Sequence, residues 1–322
     1  MRKADINFMQ GYIKDLKTGE RVDSTFSVKY KHPPKEYKNG FSFVLGLADR
    51  TGEIEATYWG GAKEGVQELY DSVKADEVVR ILGRIEEFKG KQRISINPTD
   101  GGINKEEKFD LERFVPKTKR NMDEMTAKLF EQIDSVKNPH LKGLLESFFK
   151  DSEFLEKFKF TPAAMYIHHP YIGGLLEHTL SVTSLCQAAL DLYPSLDGDL
   201  LISGALLHDI GKTREFVVGT NIKMSEEGML RGHIPIGEEM LLEKMGEDFP
   251  KILKMKMCHI ILAHHGKGEY NSPVSPEFPE AVMVYYADEL DAKLFQYMKL
   301  KEESSTEDFH VYSKRLGQIY LK

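Results

Sequence analysis

Eight of the eleven histidines in this chain of 322 residues fall between positions 168 and 265. Imidazoles gathered without cysteines suit a borderline transition metal held by nitrogen and oxygen ligands. The most telling pair is His208-Asp209, which closes the apolar run Leu200-Leu201-Ile202-Ser203-Gly204-Ala205-Leu206-Leu207. Neighbours on a helix point about 100° apart, so one solvated face cannot accommodate two adjacent polar groups at the end of such a run. Burying both without partners costs on the order of several kcal/mol, a cost that a metal bound by both removes. The same chemistry attaches to His178 in Leu176-Glu177-His178-Thr179, His233 in Arg231-Gly232-His233, His264-His265 in Ala263-His264-His265-Gly266, and Asp288 in Ala287-Asp288-Glu289. Isolated His32, His140, His259 and His310 are read as uninvolved.

These residues need helices to position them. From about Met125 onward the apolar positions Met125, Leu129 and Ile133, then Leu141, Leu144, Leu145, Phe148 and Phe149, recur at helical spacing, and the candidate ligands sit on or at the ends of apolar helices. No convincing strand follows residue 122 except a short hairpin from Phe216 to Met224. Residues 23 to about 98 instead alternate like a small barrel: Thr25–Tyr30, ended by Lys31-His32-Pro33-Pro34, then Phe41–Leu47, a turn at Asp49–Gly52, and Glu53–Trp59. A helix over about 62–73 precedes strands at Val78–Ile85 and Gln92–Ile96. Three strands, one helix and two strands is the order of an OB-fold. The expected architecture is a multidomain chain: an all-β OB-fold barrel over 1–98, a linker over 99–122, and an all-α domain over 123–322.

Composition narrows the class. Apolar residues make up 41% and charged residues 30%, as in ordinary globular proteins, and no apolar stretch approaches the roughly 20 residues that span a bilayer. The polar N-terminus lacks an apolar signal core, and the two cysteines, Cys186 and Cys258, read as buried free thiols. Both point to the cytoplasm. Net charge is −7, with 23 Lys/Arg against 20 Asp/Glu in residues 1–120 and 21 against 31 thereafter. That balance argues against charge-driven coating of nucleic acid but not against a local polyanion site.

The ordered pattern His178, His208-Asp209, Asp288 resembles the H…HD…D signature of the HD-domain metal-dependent phosphohydrolases, with His233 and His264-His265 resembling its two-metal subset. With the OB-fold, the segment His168-His169-Pro170-Tyr171-Ile172-Gly173-Gly174-Leu175-Leu176-Glu177-His178, Tyr193-Pro194-Ser195-Leu196 and Ala263-His264-His265-Gly266-Lys267, nearly the whole chain resembles the YhaM-type 3′→5′ exoribonuclease family. The resemblance implies one divalent ion at His178, His208, Asp209 and Asp288. A second would lie at His233, His264 and His265, with Asp209 bridging the two. Manganese is expected first, with iron, cobalt, nickel and zinc compatible with the same donors. Two such ions activate water without a protein nucleophile, consistent with the lack of a G-x-S-x-G elbow or a cysteine nucleophile.

In that frame Asp209 and Lys212 are candidate catalytic groups, Lys212 alternatively complementing a helix C-terminus. His169, with His168, is read as rimming the site to bind phosphate or protonate the leaving oxygen, or else as supporting packing. Asp291, three residues beyond Asp288, is an alternative acidic ligand. In the barrel, Tyr30, Lys31, Lys35, Tyr37, Lys38, Lys89, Lys91 and Arg93, with Phe41 and Tyr58-Trp59 among them, mix flat and cationic groups suited to single-stranded nucleic acid, although Phe41, Phe43 and Trp59 are read as core in preference. The expected activity is metal-dependent 3′→5′ hydrolysis of single-stranded RNA, with single-stranded DNA also considered, to 5′-mononucleotides. A homo-oligomer is compatible with the resemblance, and no membrane is expected. The alternatives are a small-nucleotide phosphohydrolase, acting on a cyclic dinucleotide, a short oligonucleotide or a nucleoside triphosphate, and a non-catalytic nucleic-acid-binding module.

Overall fold

A computed structural model describes residues 11–266, 268, 272–304 and 309–320. The chain divides into two units, one running to Pro116 and including Gly219–Asn221, the other comprising Lys117–Val218 and the chain from Ile222 onward.

In the first unit, strands β1 (Arg21–Tyr37), β2 (Gly40–Asp49) and β3 (Gly52–Trp59) are followed by helix α1 (Lys63–Ser72). Strands β4 (Val78–Phe88), β5 (Lys91–Ile96) and β6 (Gly102–Lys105) complete the unit. β1 pairs with β2 through its second half and with β4 through its first, β2 with β3, β3 with β5 in parallel, and β5 with β4. The five strands therefore close in the order β1-β2-β3-β5-β4, the OB-fold arrangement. Alternation makes the core: Val22, Phe26, Phe43, Leu45, Ile81, Ile94 and Ile96 all point inward and are buried. The β4–β5 turn is Lys89-Gly90, with φ of 53° and 74°, the left-handed pair of a type I′ hairpin.

Two stretches differ from expectation. β1 does not stop at Pro33-Pro34 but continues to Tyr37, because a register shift between His32 and Lys35 absorbs the missing N–H groups. β6, inside the stretch read as a linker, pairs with Val79–Leu82 of β4. Its four residues carry one inward apolar side chain, Ile103, which is too little for a period to show.

The second unit contains α2 (Met122–Ser135), α3 (Pro139–Phe149), α4 (Ser152–Phe160), α5 (Gly174–Leu192), α6 (Gly198–Leu207) and α7 (Lys212–Glu215). After these come the hairpin β7 (Phe216–Val218) and β8 (Ile222–Met224), then α8 (Glu226–Arg231), α9 (His233–Lys244), α10 (Lys251–Ala263) and α11 (Pro279–Glu303). Asn121, Asn138, Asp151 and Asp197 cap α2, α3, α4 and α6 by accepting first-turn N–H groups. A second hairpin, β9 (His310–Ser313) with β10 (Gly317–Tyr320), was not expected from the sequence, since four-residue strands show little alternation. Among the described residues no helix is long and apolar enough to cross a membrane.

Every residue of α6 from Leu200 to Leu207 is buried, so this helix is the axis on which the others pack. Its end must then turn within a crowded interior. Gly211 makes that possible: a Cβ there would lie 1.9 Å from the carbonyl oxygen of His233. Gly143, in the middle of α3, is exposed and faces open space.

The two glycines should therefore respond oppositely to alanine. Gly211→Ala is expected to lower stability by about 1–3 kcal/mol through overpacking, and Gly143→Ala to raise it by about 0.8–1.0 kcal/mol through helix propensity. Urea unfolding midpoints measure both; a neutral Gly211→Ala would show that the close approach to His233 relaxes freely.

Candidate metal centre

Helix ends deliver the candidate ligands. His208 and Asp209 follow the last residue of α6, His233 opens α9, and His264-His265 follows α10, while His178 stands in the second turn of α5 and Asp288 on α11. Their polar atoms converge on the carboxylate of Asp209, which is 1% exposed.

One oxygen, Oδ2, faces one group. It lies 3.4 Å from His178 Nε2 and 3.2 Å from His208 Nε2, and His178 Nε2 is in turn 3.1 Å from Asp288 Oδ1. The other oxygen, Oδ1, faces a second group, 3.6 Å from His233 Nε2 and 3.5 Å from His264 Nε2. His265 stacks beside both, its ring centroid 5.0 Å from that of His233 and 4.4 Å from that of His264. Each side thus gathers the nitrogen and oxygen donors a transition ion takes.

The orientation of the rings decides what can sit between them. His208 Nδ1 bonds the carbonyl oxygen of Ala205 at 2.7 Å and His264 Nδ1 that of Ile261 at 2.6 Å, so both donate from Nδ1 and present a lone pair at Nε2. His233 Nδ1 lies 3.2 Å from Glu215 Oε1, an acceptor that also takes the backbone N–H of His233. Asp209 Oδ1, His233 Nε2 and His264 Nε2 are consequently buried acceptors without a hydrogen-bond partner among the described residues. Three converging lone pairs with no proton among them repel one another unless a cation lies between, so the donor set fits a metal.

Charge agrees with geometry. Burial holds His233, His264 and His168 neutral below the usual imidazole range and His265 down to about 4. Burial opposes charge on Asp209 too, but Lys212, His208 and His178 outweigh it and keep the carboxyl well below its ordinary range. His178 is held well above its ordinary value: burial works against this, and the hydrogen bonds it donates to Asp209, Asp288 and Asp291 overcome it. That surplus of negative charge around one imidazole is what a divalent cation would neutralise.

Other expected residues fall in varied places. Lys212 opens α7 instead of closing a helix, is buried, and sets its ammonium 2.5 Å from Asp209 Oδ2. His169, read as catalytic, has both ring nitrogens occupied, Nδ1 by the Tyr171 hydroxyl at 2.6 Å and Nε2 by Asp291 Oδ2 at 3.0 Å. With its backbone at φ 43°, a conformation costing about 1–2 kcal/mol, it is a locked support and not a free acid. His168 instead keeps a buried Nδ1 without a partner among the described residues, its ring 4.9 Å from that of His178. Lys267 lies outside the described residues.

The supporting roles of two residues escape a sequence reading. Asp291, the alternative ligand by spacing, accepts from His178 Nδ1 at 2.7 Å and gathers with His169 and His178, so the two carboxylates of α11, Asp288 and Asp291, grip opposite nitrogens of one ring. The i,i+3 spacing placed Asp291 on that side without showing its partner. Glu215, which fixes His233, gave no signal beyond its nearness to Lys212.

In the barrel, Lys31 departs from expectation. Its ammonium donates to the carbonyls of Tyr70 and Val73, both at 2.7 Å, and so caps α1 in place of facing a ligand. Lys35, Lys38, Lys89 and Lys91 are exposed. Tyr30 is 40% exposed, and Tyr37 donates to the carbonyl of Gly60 at 3.1 Å. Arg93 lies over Trp59, which stands on the outer face and not in the core as expected.

Asp291→Ala should leave His178 free to rotate and to change tautomer. Divalent-metal affinity is then expected to fall by about 10–100-fold, with Asp291→Asn in between. Competition against a chelating dye measures this, and an unchanged affinity would reduce Asp291 to packing.

Comparison with known proteins places these elements. The sequence profile of the HD domain matches residues 175–293, the span that holds His178, His208-Asp209, His233, His264-His265 and Asp288. The 3′-5′ exoribonuclease YhaM of Bacillus velezensis is 34% identical over 281 residues, covering 86% of each chain. That of Geobacillus sp. (strain WCH70) is 35% identical over 290 residues, 88% of this chain and 85% of its own. Among solved structures, the second OB-fold domain of replication protein A from Methanococcus maripaludis aligns with 32% of this chain and 99% of its own at 22% identity, with a TM-score of 0.26. With similarity at this level along most of both chains, this protein belongs to the YhaM 3′-5′ exoribonuclease family.

Proposed function

We propose that this protein is a metal-dependent exoribonuclease that removes 5′-mononucleotides from the 3′ end of single-stranded RNA. The OB-fold contributes strand binding and the helical unit cleavage. What carries the assignment is the division of Asp209: one oxygen toward His178 and His208, the other toward His233 and His264. A single carboxylate shared in this way suits a pair of divalent ions. His178, His208, Asp209 and Asp288 would hold one, and Asp209, His233, His264 and His265 the other. The relatives' names supply the 3′-5′ polarity.

Bound there, divalent ions polarise phosphoryl oxygens and acidify water. The residues of the chain do the rest. Asp209 brings buried negative charge that the neutral imidazoles of His233 and His264 do not dilute. Asp291 and Glu215 keep His178 and His233 in one orientation, so the donor set is formed before substrate arrives. Lys212, already at Asp209 Oδ2, offers an ammonium to a non-bridging phosphate oxygen as negative charge grows on it. His168, neutral and with an unpartnered ring nitrogen, stands beside His178 as the group able to hydrogen-bond a phosphate or the leaving oxygen. Manganese is the first metal to test, because the donors are imidazole and carboxylate and both cysteines are buried free thiols. Those free thiols also suit the cytoplasm.

Single-stranded RNA labelled at its 5′ end should shorten progressively with Mn²⁺ present, while a 3′ label is released at once as a mononucleotide. Asp209→Asn is expected to abolish turnover with circular dichroism unchanged. Lys212→Ala should lower the single-turnover rate by about 10²–10³-fold while metal content stays the same. Faster hydrolysis of a cyclic dinucleotide than of RNA, or full activity in Asp209→Asn, would defeat this assignment.

A further inference from the structure

The outer face of the OB-fold carries planar groups that its core does not require. Along β3, Ala56 and Tyr58 point inward, Tyr58 stacking on Phe43 at 5.2 Å, so Glu55, Thr57 and Trp59 point out. β5 runs in parallel register beside it, Glu55 opposite Arg93 and Thr57 opposite Ser95, which puts Arg93 and Ser95 on the same face. Trp59 is anchored there by donating Nε1–H to Ser95 Oγ at 3.1 Å.

These side chains form a row. Tyr37 meets Trp59 edge-on at 5.0 Å, and the Arg93 guanidinium stands 5.5 Å from the Trp59 ring and 4.4 Å from the ring of Phe88. Phe88, at the end of β4, is 51% exposed. Arg93 Nε is buried yet has no hydrogen-bond partner among the described residues, although the guanidinium end reaches Glu86 at 3.4 Å. Farther across the same face Tyr30 lies flat over Gly46, where any Cβ would come within 2.3 Å of its ring. An exposed phenylalanine beside a partly desolvated arginine adds nothing to the barrel's core, but neighbouring aromatic and guanidinium groups are what unpaired bases stack on. The exposed Lys35, Lys38, Lys89 and Lys91 supply cations for the phosphates.

We infer that the row Phe88–Arg93–Trp59 is the base-stacking site of this protein and that its ligand is the unpaired bases of an RNA strand. This rests on the single-strand reading above and adds to it: contact is made by planes, with Trp59 and Phe88 as the contact aromatics, and the lysines steer.

Trp59 is the single tryptophan of the chain, so its emission reports on this face alone. The full chain carrying Asp209→Asn, expected to abolish hydrolysis, is titrated with a short oligoadenylate while Trp59 emission is followed. Anisotropy of the same oligonucleotide bearing a 5′ dye is read in parallel. Quenching should saturate with the anisotropy, and a fully base-paired RNA of similar length should not quench. Phe88→Ala alters an exposed side chain and should weaken binding about tenfold or more, while Phe88→Tyr, which keeps the ring, restores it. If anisotropy reports binding while Trp59 emission and the Phe88→Ala affinity stay unchanged, the bases stack elsewhere; the inference fails and the single-strand reading stands. Equal quenching by duplex would overturn the preference for unpaired bases. No rise in anisotropy at any concentration would overturn the single-strand reading itself, and the stacking site with it.

Discussion

The structure of the helical unit is governed by the cost of burying the carboxylate of Asp209. An ion of that kind placed in a protein interior costs several kcal/mol even after relaxation, so everything around it must return favourable interactions. Lys212, His178 and His208 answer one oxygen; the other is met by the lone-pair edges of His233 and His264, which answer it only when a cation is shared. The position of this carboxylate is itself a consequence of hydrophobic burial. α6 is apolar on every side and must run through the middle of the unit, which leaves its polar end in the interior.

From that constraint the surrounding architecture follows. The ends of α6 and α10 and the start of α9 converge on it, while α5 and α11 present His178 and Asp288 from within. Gly211 lets the turn after α6 approach the start of α9 within a distance no larger residue tolerates. Each imidazole is held by its far nitrogen: carbonyls of Ala205 and Ile261, carboxylates of Asp291 and Glu215. The chain from Asp291 through His169 and Tyr171 continues to Glu177 and Thr118, so one network of hydrogen bonds links α11, the loop before α5 and the segment leading to α2. His169 keeps its left-handed backbone inside this network.

Much of this was legible in the sequence, for definite reasons. A polar pair ending a long apolar run is costly enough to stand out, and the strands of the barrel alternate cleanly because one face of each is buried. What stayed hidden depends on partners far apart in the chain. Asp291 and His169 are 122 residues apart, and neither spacing nor propensity shows that one accepts from the other. Trp59 was assigned to the core because an aromatic in a small barrel usually belongs there; the parallel pairing of β3 with β5 turns it outward beside Arg93. Lys31 and Lys35 look alike in the sequence, but an odd step along β1 sends Lys31 toward the carbonyls that end α1. β6 and the β9–β10 hairpin are too short for alternation to mark them.

The proposed sharing of Asp209 between two cations is open to direct measurement. Crystals grown with Mn²⁺, measured at a wavelength where manganese scatters anomalously, test it without reference to turnover. Two anomalous peaks are predicted, one beside each oxygen of Asp209, the first within bonding distance of His178 and His208 and the second of His233 and His264. A single peak, or a pair of peaks that leaves Asp209 bound through one oxygen, would contradict it.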